Sequence, residues 1–244
     1  MSALLPSFRL EGKTVLVTGG ANGLGRMIAQ GMVEAGATVI ISSRRDAEQA
    51  ADELSASGRC TGITADLSSI EGVEKLVAAV QRQSTKLHVL VNNAGRTWGE
   101  PLESFPVQAW PRIFSTNVEA PFFLVQRLLG QLETAATAED PARIINIGSI
   151  AGKRVLGLEA YSYAASKAAL HHLSRELAAK LGRRNITVHA VLPGFFPTRM
   201  TAHLDVEDEA AILERTPGCS LPPAYRRSRR GHRAAARPAR HSRQ

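Results

Sequence analysis

Cysteine is scarce in this chain, with Cys60 and Cys219 the only two among 244 residues. They have neither the spacing nor the companions of a metal site, and no disulfide framework can be built from them, so both are expected to be plain thiols. Aromatic residues make up only 5%, too few for the stacking platforms that hold single-stranded nucleic acid. No uninterrupted apolar run is long enough to cross a bilayer, and residues 1–12 show no charged-then-apolar leader. The expectation is therefore a cytoplasmic protein with no membrane contact. An internal repeat at solenoid spacing is also missing. The length suits one sizeable core.

Acidic residues are missing from one place in particular. The chain has 30 Lys and Arg against 22 Asp and Glu, a formal charge of +8. Residues 216–244 contain eight arginines (Arg226, Arg227, Arg229, Arg230, Arg233, Arg237, Arg240 and Arg243) with no lysine and no acid, which leaves 22 charges of each sign elsewhere. The globular part thus has no basic excess, and no specific nucleic-acid partner is expected; the tail alone would give only salt-sensitive adhesion. The tail also contains Pro222, Pro223 and Pro238 and no apolar alternation, a composition that favours disorder.

What is present is a regular alternation. Apolar runs at 14–18, 38–42, 62–65, 87–91, 143–147 and 186–192 each end in glycine, asparagine, aspartate, serine or proline, with helical spacing between them. Strands apolar on both faces and separated by helices imply a parallel sheet covered on both sides. The expected fold class is α/β, a Rossmann-type doubly wound sheet in a single domain. In such sheets ligands bind beyond the carboxyl ends of the strands, where Gly19 to Gly25, Asp66, Asn93, Ser149 and Pro193 are expected.

The first strand runs into Thr18-Gly19-Gly20-Ala21-Asn22-Gly23-Leu24-Gly25 and then a helix. Glycines in that place let backbone amides approach a pyrophosphate at a helix N-terminus. The spacing of Gly19, Gly23 and Gly25 differs from the commonest dinucleotide pattern. At the end of the second strand, where a carboxylate would grip ribose hydroxyls, the chain has Ser42-Ser43-Arg44-Arg45. An arginine there matches a 2′-phosphate, so NADP(H) is the expected cofactor.

Tyr163 and Lys167 stand four residues apart, so one helix face brings them together. An ammonium beside a phenol favours the phenolate, so the pair is expected to lower the phenol from its usual ~10 toward neutrality. Tyr161, six residues before Lys167, projects from another side of the helix.

Together with Asn92-Asn93-Ala94-Gly95, Asn117 and Ser149, these motifs resemble the short-chain dehydrogenase/reductase family over residues 8 to about 215. Stretches such as Met27 to Gly31, Ala65 to Ser69 and Pro141 to Ser149 are most similar to its NADPH-dependent 3-oxoacyl reductases. The resemblance implies that Tyr163 gives the proton in reduction, Ser149 hydrogen-bonds the substrate carbonyl, and Lys167 tunes the phenol and holds the nicotinamide ribose. It implies that Asn117 supports a water relaying protons to Lys167. It extends the cofactor site to Gly19, Asn22, Gly23, Leu24, Gly25, Arg44, Asp66, Leu67, Asn93, Ala94, Gly95, Pro193, Gly194 and Thr198. Pro121, four residues after Asn117, has no N–H to offer the Asn117 carbonyl, so a kink is expected there, with the freed carbonyl holding the relay water.

The expected substrate is a 3-oxoacyl thioester or another hydrophobic ketone. Pocket loops at 96–99, 150–156 and 195–200 are apolar with a basic fringe of Lys153, Arg154 and Arg199, which fits an acidic acyl carrier protein as partner. The resemblance also implies a homodimer or homotetramer. Two other readings stand beside this one: an alcohol dehydrogenase of the same family with a different substrate, and a non-catalytic NADP-binding regulator, against which Tyr163 and Lys167 speak. The resemblance divides the chain into an NADP-binding domain, 1–215, and the basic tail, 216–244. The family's final strand is not recognisable in that tail, and a reading-frame slip near Gly218 is the expected reason. An unpaired sheet edge and weakened stability would follow.

Overall fold

The computed structural model describes residues 9–194. Six parallel strands, β1 (Thr14–Thr18), β2 (Thr38–Ser43), β3 (Cys60–Thr64), β4 (Val89–Asn92), β5 (Ala142–Ile147) and β6 (Ile186–Val191), pair in the order β3-β2-β1-β4-β5-β6. Crossovers run through α1 (Gly23–Glu34), α2 (Ala47–Leu54), α3 (Ile70–Gln83), α4 (Ala109–Phe114), α5 (Ala120–Arg127), α6 (Leu129–Ala135) and α7 (Tyr161–Leu181). The α/β, Rossmann-type doubly wound expectation holds. The strand order reverses between β1 and β4, so the connections leaving their carboxyl ends run in opposite directions and open a crevice at the switch point.

Strand periodicity explains why both faces are apolar. Val15, Val17, Val39, Ile41, Val89 and Val91 point to one side, against Ala29 and Val33 of α1 and Ala50 and Leu54 of α2. Leu16, Ile40, Leu90 and Ile144 point to the other, against Leu76 and Val80 of α3, Leu124 of α5, Leu132 of α6 and Leu181 of α7. Successive residues of one strand therefore feed two separate cores.

The outer strands depart from the expectation of burial on both faces. In β3 only Ile63 is buried, and in β6 only Ile186. Among the described residues these two strands each have one neighbour, so polar residues such as Thr61 and His189 are tolerated there. The helical stretch around Pro121, where a kink is expected, is divided into several pieces. Residues Ser115–Glu119 form a π-turn in which Ala120 N–H reaches back to Ser115 O, and α5 then ends at Leu128 before α6 begins. No described helix is long and apolar enough to cross a membrane. The basic tail, the expected loss of a final strand, Thr198 and Arg199 lie outside the described residues.

Candidate active site

The glycine loop closes on the end of β1 through one threonine. Thr18 Oγ1 donates to Val91 O at 3.3 Å and accepts the backbone N–H groups of Asn93 and Ala94, both at 3.0 Å. Asn93 returns the contact, its Nδ2 donating to Thr18 O at 2.9 Å and to Gly19 O at 3.3 Å. These bonds tie β1 to β4 at the switch point. Gly19 takes φ +66° and Gly23 φ +53°, the left-handed region that glycine tolerates. A Cβ on Gly25 would collide with Gly19 O and Asn93 Nδ2, so the loop comes this close to α1 only because Gly25 has no side chain.

The start of α1 is arranged for an outside anion. Asn22 is extended, and the first turn has no acid. Helix-start amides flanked by glycines favour a pyrophosphate. Arg44 follows β2 on the surface, and its charge is felt by both Asp66 and Arg96. Burial acts to raise the Asp66 carboxyl, but the Ser68 amide and hydroxyl, together with Arg96 and Arg44, hold it below the usual carboxylate range. Arg96 pairs with Asp66 at 3.6 Å, beside a cavity of about 500 Å³ that Ser68, Arg112 and Glu119 also line. Of the expected cofactor residues, Gly19, Gly25 and Asn93 are in mutual contact, Asp66 is tied through Arg96 to the loop after β4, and Leu67 is buried in the core. Pro193 and Gly194 follow β6.

The second group of residues gathers beyond β4 and β5. Asn117 is fully buried in the π-turn. Its Oδ1 accepts Arg96 N–H at 2.8 Å, and its Nδ2 donates to Arg96 O and to Ser166 Oγ, both at 2.9 Å. Ser166 Oγ in turn donates to Tyr163 O at 2.7 Å. The Asn117 side chain therefore joins the strand-end loop to α7. A Cβ on Gly95 would sit 3.4 Å from Asn117 Oδ1 and 3.6 Å from Lys167 Nζ, so both groups border that glycine. Pro121 stands just beyond this π-turn, in the first turn of α5.

Lys167 is 4% exposed, and its Nζ donates to Ile147 O at 2.7 Å and stands 5.8 Å from the Tyr163 ring centroid. Burial lowers its pKa to about 8. Tyr163 differs from the sequence expectation in direction. Burial raises the phenol above its ordinary value, a hydrogen bond with the Ser149 side chain opposes this, and Lys167, directed at Ile147 O, does not lower it. The phenol therefore keeps its proton at neutral pH. Tyr161 packs edge-on against Phe105, with centroids 5.4 Å apart.

Sequence reasoning missed Thr18, Ser166 and His171. Thr18 opens the glycine loop and Ser166 lies between Tyr163 and Lys167, but each of the three acts through a backbone group or a neighbouring side chain, a role that spacing does not assign. It also missed a buried polar chain in which Asn92 Nδ2 donates to Asn146 Oδ1 at 2.8 Å and Asn146 Nδ2 to Ser174 Oγ at 2.9 Å. Asparagine in the middle of an apolar strand was its only signal.

The chain belongs to the short chain dehydrogenase family, whose model matches residues 13–209. Over 208 residues it is 50% identical to the rhamnolipids biosynthesis 3-oxoacyl-acyl-carrier-protein reductase of Pseudomonas aeruginosa, covering 84% of this chain and 81% of that protein. It is 35% identical over 213 residues to the 3-oxoacyl-acyl-carrier-protein reductase FabG of Escherichia coli, covering 86% and 84%. Among solved structures, the active-site complex of Pseudomonas aeruginosa RhlG with NADP superposes with a TM-score of 0.85 at 46% identity, covering 91% of this chain and 89% of that one. The angucycline C-6 ketoreductase LanV with bound NADP gives 0.76 at 31% identity, covering 86% and 82%.

Proposed function

We propose that the protein is an NADPH-dependent carbonyl reductase whose substrates are 3-oxoacyl thioesters or related hydrophobic ketones. The observation that carries this reading is the convergence of Ser149, Tyr163, Lys167 and Asn117 beside an anion-accepting glycine loop. The crevice suits the cofactor: Gly19, Gly23 and Gly25 leave room for a pyrophosphate, Arg44 would hold a 2′-phosphate, and Asp66 and the Asn93 to Gly95 backbone would border the rest. When bound, the nicotinamide supplies a hydride to the carbonyl carbon.

The chain's own residues manage the oxygen. Ser149 Oγ donates a hydrogen bond to the substrate carbonyl and polarises it. Tyr163, whose phenol is kept protonated by burial, gives its proton to the oxygen as negative charge develops there. Lys167, with a pKa near neutrality at about 8, can return a proton to the phenolate. Asn117 holds the Arg96 backbone and Ser166, and so keeps the wall behind Tyr163 in place.

Identity to two 3-oxoacyl-acyl-carrier-protein reductases supports the thioester reading, and the NADP in the RhlG and LanV structures supports the cofactor. Lys153 and Arg154 are exposed beyond Ser149, where they suit an acidic acyl carrier protein. A cytoplasmic homodimer or homotetramer completes the proposal. The test is NADPH oxidation with a carrier-bound 3-oxoacyl thioester, a coenzyme A thioester and a simple hydrophobic ketone. Faster turnover of a thioester is expected, and failure to reduce any of the three would overturn the reading.

A further inference from the structure

Ser149 has a glycine on either side of its turn, and the room left by their missing side chains is filled by an imidazole. A Cβ on Gly148 would overlap His171 Nε2, and one on Gly152 would lie 2.8 Å from His171 Cε1. His171 stands one turn beyond Lys167 on α7, and its Nε2 accepts the backbone N–H of Ser149 at 3.3 Å. That bond requires an unprotonated Nε2, so the neutral ring carries its proton on Nδ1. The ring also borders a cavity of about 450 Å³, lined further by Lys153, Ser174, Arg175 and Val188.

We propose that His171 is the positioning residue for Ser149: neutral, it holds the serine's backbone from behind, and protonated, it releases the turn at 148–152. A protonated Nε2 would present an N–H to the Ser149 N–H, two donors facing each other, and the bond would be lost. The inference rests on the reading of Ser149 as the hydroxyl that meets the substrate carbonyl.

Among the described residues, the charges felt by the ring are cations on two elements: Lys167 and Arg175 on α7, and Lys153 beyond the serine turn. Burial first, then these three, lower the imidazole below its ordinary 6.5. A depressed folded value means that the stabilising bond is fully present above 6.5 and is lost as pH falls through the lower folded value. Turnover should therefore keep its full rate through neutrality and fall about tenfold on the acid side, since misplacing a reacting group by a fraction of an ångström has effects of that order.

Three variants and one spectroscopic measurement test this on the full chain. His171→Leu removes the acceptor, and kcat at neutral pH should fall about tenfold with the KM for NADPH unchanged. His171→Gln places a non-titrating amide oxygen near the same point; it should restore turnover relative to His171→Leu and abolish the acid limb. Gly148→Ala should displace the ring and behave like His171→Leu. Without any turnover, nuclear magnetic resonance of serine- and histidine-labelled protein should show the Nδ1–H tautomer of His171 and a Ser149 amide shift that titrates with the ring. A Ser149 amide that ignores the titration, or a His171→Gln enzyme that keeps the parent's acid limb, would overturn the proposal. If no carbonyl is reduced under any condition, the resonance titration still decides the positioning role, and the functional reading alone falls.

Discussion

Replacing Lys167 by methionine should stabilise the protein while ending its chemistry. The ammonium is 4% exposed, and burial takes its pKa from 10.5 to about 8. Each pKa unit is worth about 1.4 kcal/mol, so keeping the lysine charged at pH 7 costs about 3 kcal/mol relative to leaving it in water. Methionine has nearly the same length and no charge, which removes that cost. It also removes the hydrogen bond to Ile147 O, returning about 1 kcal/mol of loss. The net expectation is a gain of about 2 kcal/mol, or a rise in Tm of roughly 4–8 °C for a domain of this size.

The pH dependence gives a second and sharper reading. Because the folded value is depressed, the unfolded chain binds the extra proton between about 8 and 10.5, and wild-type stability from this group rises with pH across that window. Below about 8 both states are charged and the penalty is constant. The stability difference between Lys167→Met and the parent should thus be greatest at neutral pH and shrink steadily toward pH 10.5. Urea unfolding at several pH values measures both curves. A variant less stable than the parent at pH 7, or two curves that stay parallel through the alkaline window, would refute the reasoning.

Other changes probe the rest of the crevice. Tyr163→Phe removes the proton donor and should lower carbonyl reduction by 10³-fold or more, on the order expected for loss of a general acid, with the Kd for NADPH, read by fluorescence titration, nearly unchanged. Arg44→Ala should weaken NADPH about tenfold or more and leave NADH almost unaffected, as the loss of a charge-assisted phosphate contact predicts; equal weakening of both would argue against a 2′-phosphate contact. Asn117→Ala cuts three hydrogen bonds, two part-buried to Arg96 N and Arg96 O and one buried to Ser166 Oγ. A loss of about 2–4 kcal/mol in stability is expected in chemical denaturation, alongside lower turnover.

Much of this architecture was legible because strand and loop chemistry coincide in the sequence. Thr14 to Thr18 reads as a strand from its β-branched residues, and the glycines that end it are the same glycines that admit the anion. The edge strands were read less well. Thr61 in β3 and His189 in β6 dilute the apolar pattern, since burial depends on how many neighbours a strand has, and spacing alone does not reveal that. For the site, the Tyr163 and Lys167 spacing identified the pair but gave the wrong direction for the phenol, because burial is a property of the folded surroundings. Thr18 and His171 escaped notice because each acts on backbone N–H groups, which every residue carries.

The π-turn at Ser115–Glu119 has a consequence for what this chain can lose or gain. An α-helix turns by about 100° per residue, so a π-turn is in effect one surplus residue wound into the helix. Deleting a single position there would restore a regular spiral with Ile113 and Leu124 still facing the interior, yet it would remove the wide turn from which Asn117 reaches Arg96 and Ser166. Insertions and deletions should therefore be rejected in this short stretch more strictly than substitutions, so that the register of the spiral itself guards the orientation of Asn117.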